Sequence, residues 1–90
     1  MSHTIRDKAK LTSRINRIKG QLNAASKIVE TEGEPYKLLQ LLSSCRGALT
    51  GLMGDVIEGH ILEHVVDAHT KKDAAQAGKE VTEILKSFWK

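Results

Sequence analysis

Three stretches of the chain carry apolar residues at helical spacing, and short polar stretches separate them. In the first, Leu11, Ile15, Ile18, Leu22, Ala25 and Val29 recur at alternating steps of four and three. That period holds all six on one stripe of an amphipathic helix with a coiled-coil-like seam. It predicts a helix from about residue 6 to residues 29–31. Thr31-Glu32-Gly33-Glu34-Pro35 follows. Gly33 reads as a stop signal. Pro35 suits the first turn of a helix, where a missing N–H costs nothing.

The second helix is predicted from about Pro35 to about Val66. Leu38, Leu42, Cys45, Leu49, Leu52 and Val56 form one stripe, and Leu39, Met53, Ile57, Ile61 and Val65 form another. A helix with two apolar stripes needs partners on more than one side. One chain of 90 residues cannot supply them, so an oligomer with this helix as its shared core is expected. Gly47, Gly51, Gly54 and Gly59 lie inside the stretch, each costing roughly 1 kcal/mol relative to Ala. Gly47 and Gly51 share a face, so close approach of a neighbouring helix is the expected offset. The alternative is a helix break near Gly59. Asp67 to Lys72 reads as a loop. A third helix is expected from about Asp73 to about Phe88, with Ala77, Val81, Ile84 and Phe88 as its stripe. The predicted fold is all-α, with three helices, the middle one longest, in one domain over residues 1–90.

Composition narrows the setting. Tyr36, Phe88 and Trp89 are the only aromatic side chains, so the core is aliphatic. One cysteine, Cys45, can form no internal disulfide, which fits a reducing cytoplasm. No signal-peptide pattern is visible, and no apolar run reaches the ~18 residues of a membrane span. A cytoplasmic protein without a membrane partner is therefore expected. Charge is distributed unevenly. Residues 1–30 carry seven Lys/Arg against Asp7 and Glu30, a net +5, and residues 31–90 carry seven against nine acids, a net −2. A basic amino-terminal helix points to a polyanion, or else to a solvated face. Lys10, Arg14 and Arg17 follow four–three spacing, so they share one helix face and are the candidate phosphate contacts on DNA. Neither a helix-turn-helix pattern, nor zinc-finger spacing, nor an aromatic stacking platform accompanies them.

Candidate chemistry centres on His60 and His64. Four residues apart on a helix, their imidazoles stand side by side, which is half of a transition-metal site. Glu63 could hydrogen-bond a ligand imidazole or bind metal itself. His69 reads as a loop residue. His3 is a further candidate. With Met1 retained, the terminal amine, two backbone amides and the His3 imidazole can form a planar four-nitrogen site for Ni(II) or Cu(II). With Met1 removed, the Ser2 amine and His3 remain as donors; the alternative is a leader without a role. Cys45 lies fifteen residues before His60, roughly 22 Å along a straight helix, so the two cannot share an ion within one chain. It reads as a small core residue. An enzyme is not expected, because no phosphate loop, nucleophile elbow or paired-carboxylate pocket is visible. A hydrolytic zinc site needs three protein ligands and an open position, against two clear ligands here.

The segment Arg46-Gly47-Ala48-Leu49-Thr50-Gly51-Leu52-Met53, leading to His60-Ile61-Leu62-Glu63-His64, resembles the CsoR/RcnR family of bacterial repressors. So does Arg14-Ile15-Asn16-Arg17-Ile18-Lys19-Gly20-Gln21. The opening Met1-Ser2-His3-Thr4-Ile5-Arg6-Asp7-Lys8 looks especially like its nickel/cobalt-responsive branch. The resemblance implies a three-helix protomer assembled as a dimer of dimers, a homotetramer. It implies binding to operator double-stranded DNA, released when an inducer occupies a site between protomers. Residue by residue, it makes His60 and His64 the paired sensor positions, His3 the amino-terminal ligand, and Arg14 and Arg17 operator-binding positions. The chain departs from the pattern at Pro35, where the family places a sensor cysteine. Without that thiolate, Cu(I) lacks its preferred soft ligand, and aldehyde and persulfide sensing lack the nucleophile that the resemblance implies. A nitrogen/oxygen site suited to Ni(II) or Co(II), and also to Zn(II), remains. The expected function is a repressor relieved by Ni(II) or Co(II). The alternatives are a family member sensing a non-metal inducer, an aldehyde or another small molecule, or a helical metal-binding assembly without DNA.

Overall fold

A computed structural model describes residues 7–88. They form α1 (Lys8–Glu30), α2 (Pro35–Ile61), a π-helical turn (Leu62–Val66) and α3 (Lys71–Phe88). No strand occurs among the described residues. The all-α, three-helix chain with a long central helix is the fold that forms. No helix of the described residues is long and apolar enough to cross a membrane. His3 lies outside the described residues.

The chain divides into two compact units, one of residues 8–54 and one containing residues 55–88. The first is a hairpin of α1 and most of α2. Its turn is a Schellman-type closure: the Gly33 N–H donates to Ile28 O at 2.8 Å and the Glu32 N–H to Val29 O at 3.2 Å. The left-handed residue of this turn is Glu32, at φ 52°, rather than the expected stop residue Gly33. Gly33 serves by its size, because a Cβ there would meet Ile28 Cγ2 at 3.3 Å. Pro35 opens α2 as the sequence predicts.

Packing in the hairpin splits each predicted stripe. On α1, Leu11, Ile18 and Ala25 are buried, while Ile15, Leu22 and Val29 stay exposed. On α2, Cys45 is buried, and Leu38, Leu41, Ala48 and Leu52 are half-buried around it. Leu42 and Leu49, assigned by spacing to the Cys45 stripe, instead join Leu39 and Met53 on the exposed side. Both rows lie within about 60° of Cys45 round the helix, so only the position of α1 decides which faces inward. Gln21 Nε2 donates to Ser44 Oγ at 2.9 Å and ties the two helices together. Within this chain nothing among the described residues lies within 4 Å of the Gly47 Cβ position. Gly51 does admit a neighbour, the Arg14 guanidinium, with Nη1 3.2 Å from where a Cβ would stand.

In the second unit α2 continues through Gly59 without a break and ends at Ile61. The chain then widens into one π turn, closed by the Asp67 N–H donating to Leu62 O at 3.0 Å. Thr70 caps α3: its Oγ1 accepts the Asp73 N–H at 3.0 Å, satisfying one of the helix's orphan donors. The helix therefore begins at Lys71, two residues before the predicted start. Ala77 and Val81 are its buried apolar residues, whereas Ile84 and Phe88 of the same stripe are exposed. Among the described residues no large side chain is fully buried.

Candidate metal centre

His60 closes the last turn of α2, and Glu63 and His64 lie on the π turn. The two imidazole centroids are 4.7 Å apart with the rings tilted by 45°. Metal–nitrogen bonds of about 2.0–2.1 Å let rings this close reach one ion. Both histidines are half-buried, and His60 Nε2 and Glu63 Oε2 are shielded from water. The sequence predicts the pair but not the π turn that carries its second member. Such turns insert one extra residue and frequently occur at functional sites. No glycine or proline between residues 60 and 67 announces it.

The pair lines a pocket of about 720 Å³ within the second unit. Glu63, Asp67 and His69 contribute from the π turn and the linker, and Asp73, Gln76 and Glu80 from α3. His69, read from the sequence as a loop residue, does lie on the linker, yet it also faces this pocket. The contribution of α3 is one that sequence reasoning missed. Its signal is the position of Asp73 and Glu80, four before and three after Ala77, at the edge of the α3 apolar stripe. Among the described residues no three His, Cys, Asp or Glu side chains are placed to hold an ion together. The donors of this pocket thus fit half of a nitrogen/oxygen site for a borderline metal, with the other half to come from elsewhere.

The remaining candidates lie in the hairpin. Lys10, Arg14 and Arg17 are exposed on α1. At about 100° per residue their face is centred about 70° from the Leu11–Ile18–Ala25 row, with Arg14 nearest to it at about 40°. Arg14 leans across Gly51 on α2. Cys45 is 4% exposed, a core residue of the hairpin as its sequence position predicts.

Comparison with known proteins bears on both regions. The model of a family described as metal-sensitive transcriptional repressors matches residues 7–88. The chain is 43% identical over 86 residues to the transcriptional repressor RcnR of Salmonella typhimurium, covering 96% of this chain and 92% of that one. It is 40% identical over 90 residues to RcnR of Escherichia coli, covering all of both. Among solved structures it is similar to a Glu-to-His variant of the formaldehyde-responsive regulator FrmR from Salmonella enterica serovar Typhimurium. That match has a TM-score of 0.84 and 30% identity, over 92% of this chain and 94% of that one.

Proposed function

The chain belongs to the family of metal-sensitive transcriptional repressors, which are not enzymes, and on that premise we propose that it is a DNA-binding repressor released from its operator by Ni(II) or Co(II). The observation that carries the metal half of this reading is the His60–His64 pair, 4.7 Å apart on the wall of a polar pocket. Imidazole nitrogen with carboxylate nearby suits Ni(II), Co(II) and Zn(II) better than Cu(I), which prefers thiolates. His3 and the terminal amine are the proposed further donors. On this reading residues 1–90 act as one domain, with the DNA surface on α1 and the sensor at the end of α2.

Lys10, Arg14 and Arg17 hold the protein on DNA through phosphates, and their exposure supports that role. The exposed rows Ile15–Leu22–Val29 and Leu39–Leu42–Leu49–Met53 call for a second protomer, in line with a homotetramer. Metal acts by binding more tightly to the form that fits DNA poorly, a coupling of about 1–3 kcal/mol.

A non-metal inducer is the second reading, and the similarity to formaldehyde-responsive FrmR favours it. The chemistry of this chain opposes it. Its one cysteine is buried in the hairpin, and Pro35 stands where the family resemblance implies a nucleophilic thiol.

The test is a titration of Ni(II), Co(II), Zn(II) and Cu(I) against the protein bound to its operator duplex. Ni(II) or Co(II) is expected to weaken binding at least fivefold, and Cu(I) to leave it unchanged. His60→Ala and His64→Ala should bind DNA normally without metal and lose the response. Operator affinity of the metal-free protein should fall steeply with salt, as phosphate contacts require. If no metal weakens the complex, the metal-sensor reading is wrong. If no DNA is bound at low salt, the protein is a metal-binding assembly instead.

A further inference from the structure

Of the three basic side chains assigned to DNA, Arg14 is placed differently from the other two. At about 100° per residue it stands about 40° from the buried Leu11–Ile18–Ala25 row, whereas Lys10 and Arg17 stand about 80° and 100° from it. Arg14 therefore rises from the edge of the seam between α1 and α2, and its guanidinium reaches across to α2. There it lies over Gly51, with Nη1 3.2 Å from where a Cβ would stand. Ordinary contact needs about 3.5–4.0 Å, so a side chain at position 51 pushes the guanidinium away.

Core packing does not explain this glycine. Glycine weakens a helix interior relative to alanine, so one in the middle of α2 calls for an offsetting use. Gly47 and Gly54, on the same helix, are exposed and have nothing within 4 Å of their Cβ positions. Gly51 is half-buried, and among the described residues the Arg14 guanidinium is the group that its missing side chain admits. A second crossing repeats the arrangement. Gln21 lies seven residues after Arg14 on α1, Ser44 lies seven before Gly51 on α2, and Gln21 Nε2 donates to Ser44 Oγ at 2.9 Å. In each crossing a long polar side chain of α1 lies over a small residue of α2. The antiparallel register that sets one crossing sets the other, and position 51 is where it needs the smallest residue.

We propose that Gly51 is the seat of the Arg14 guanidinium, a positioning residue that holds this arginine in the orientation in which it meets DNA phosphate. The proposal rests on the reading of Arg14 as a DNA contact. A guanidinium is a planar fork whose donors match phosphate oxygens in particular directions, so its orientation matters more than that of an ammonium. A long side chain also loses rotamer freedom when it binds, and a seat on α2 takes part of that loss beforehand. The seat ties a DNA contact of α1 to α2. Sliding of α2 against α1 then moves the guanidinium relative to Lys10 and Arg17.

The test compares Gly51→Ala with Gly47→Ala and Gly54→Ala in the full chain, metal-free, on the operator duplex. All three changes favour the helix, so all three proteins should melt no lower than the native one. Gly51→Ala should weaken operator binding about fivefold, part of the worth of one charged hydrogen bond. It should also make the slope of log K against log salt shallower, by up to about one. Gly47→Ala and Gly54→Ala should change affinity less than about twofold and leave the slope alone. In an Arg14→Ala background Gly51→Ala should have no further effect. Equal affinities for Gly51→Ala and Gly47→Ala would overturn the proposal. So would a loss that persists without Arg14, or tighter binding by Gly51→Ala, which would make the seat a store that keeps Arg14 off DNA. If Arg14→Ala alone leaves operator affinity and salt slope unchanged, the reading of Arg14 as a DNA contact is wrong, and the proposal falls with it.

Discussion

In the hairpin of residues 8–54, α1 turns Leu11, Ile18 and Ala25 inward at seven-residue intervals and leaves Ile15, Leu22 and Val29 outside. Its interior is apolar, closed by Cys45 and crossed by one Gln21–Ser44 hydrogen bond. In residues 55–88 the buried apolar side chains are Ala77 and Val81, both small, and the space beside them is lined by histidines and carboxylates. There the regular helix also gives way to a π turn. The hairpin puts its regularity into packing, while the second unit gives up packing for a cavity lined by polar and titratable side chains. If the cavity is the proposed metal centre, it draws on the less stable part of the fold, because polar groups kept for a ligand contribute little to burial.

The difference can be broken most severely in the hairpin. Ile18→Ala removes a side chain that is 6% exposed and should cost about 3 kcal/mol in urea unfolding. Ile15→Ala, one turn away at 42% exposure, should cost under about 1 kcal/mol at low protein concentration. Its effect should appear mainly as weaker self-association in sedimentation, because that row faces the proposed second protomer. A larger unfolding cost for Ile15→Ala than for Ile18→Ala at low concentration would reverse the division of the stripe.

The second unit offers a smaller handle. Thr70→Ala deletes the hydroxyl that receives the Asp73 N–H. It should destabilise α3 by about 1 kcal/mol, the usual worth of such a cap. Amide exchange should then quicken in residues 71–74 and leave the hairpin unaffected. Spread of that quickening through α1 would show that the two units do not unfold separately.

The smallest effect is expected at the hairpin turn, and it is a gain. Glu32 sits at φ 52°, where a side chain is strained and glycine is not. Glu32→Gly should stabilise the protein by about 0.5 kcal/mol, visible as a small rise in melting temperature. A loss would mean that the Glu32 side chain contributes more than its backbone strain costs.

Much of this protein is legible in its residues alone. The four–three period of Leu11 to Val29, the Pro35 start and the α3 stripe specify three helices with nearly correct limits, because each reports a local backbone preference. The i,i+4 spacing of His60 and His64 likewise fixes a meeting of two rings within a single turn. The Thr70-x-x-Asp73 cap is equally local, and it sets the start of α3 two residues earlier than the apolar stripe suggests.

What spacing could not decide was which half of each stripe turns inward. Leu42 and Leu49 lie as near Cys45 round the helix as Leu41 and Ala48 do, and only the place where α1 packs separates them. Nor could it reveal that a π turn follows Ile61, or that Asp73, Gln76 and Glu80 face the histidine pair. Period is a property of one helix and is written in its residues. Facing is a property of two, fixed only when the apolar surfaces of both are buried together.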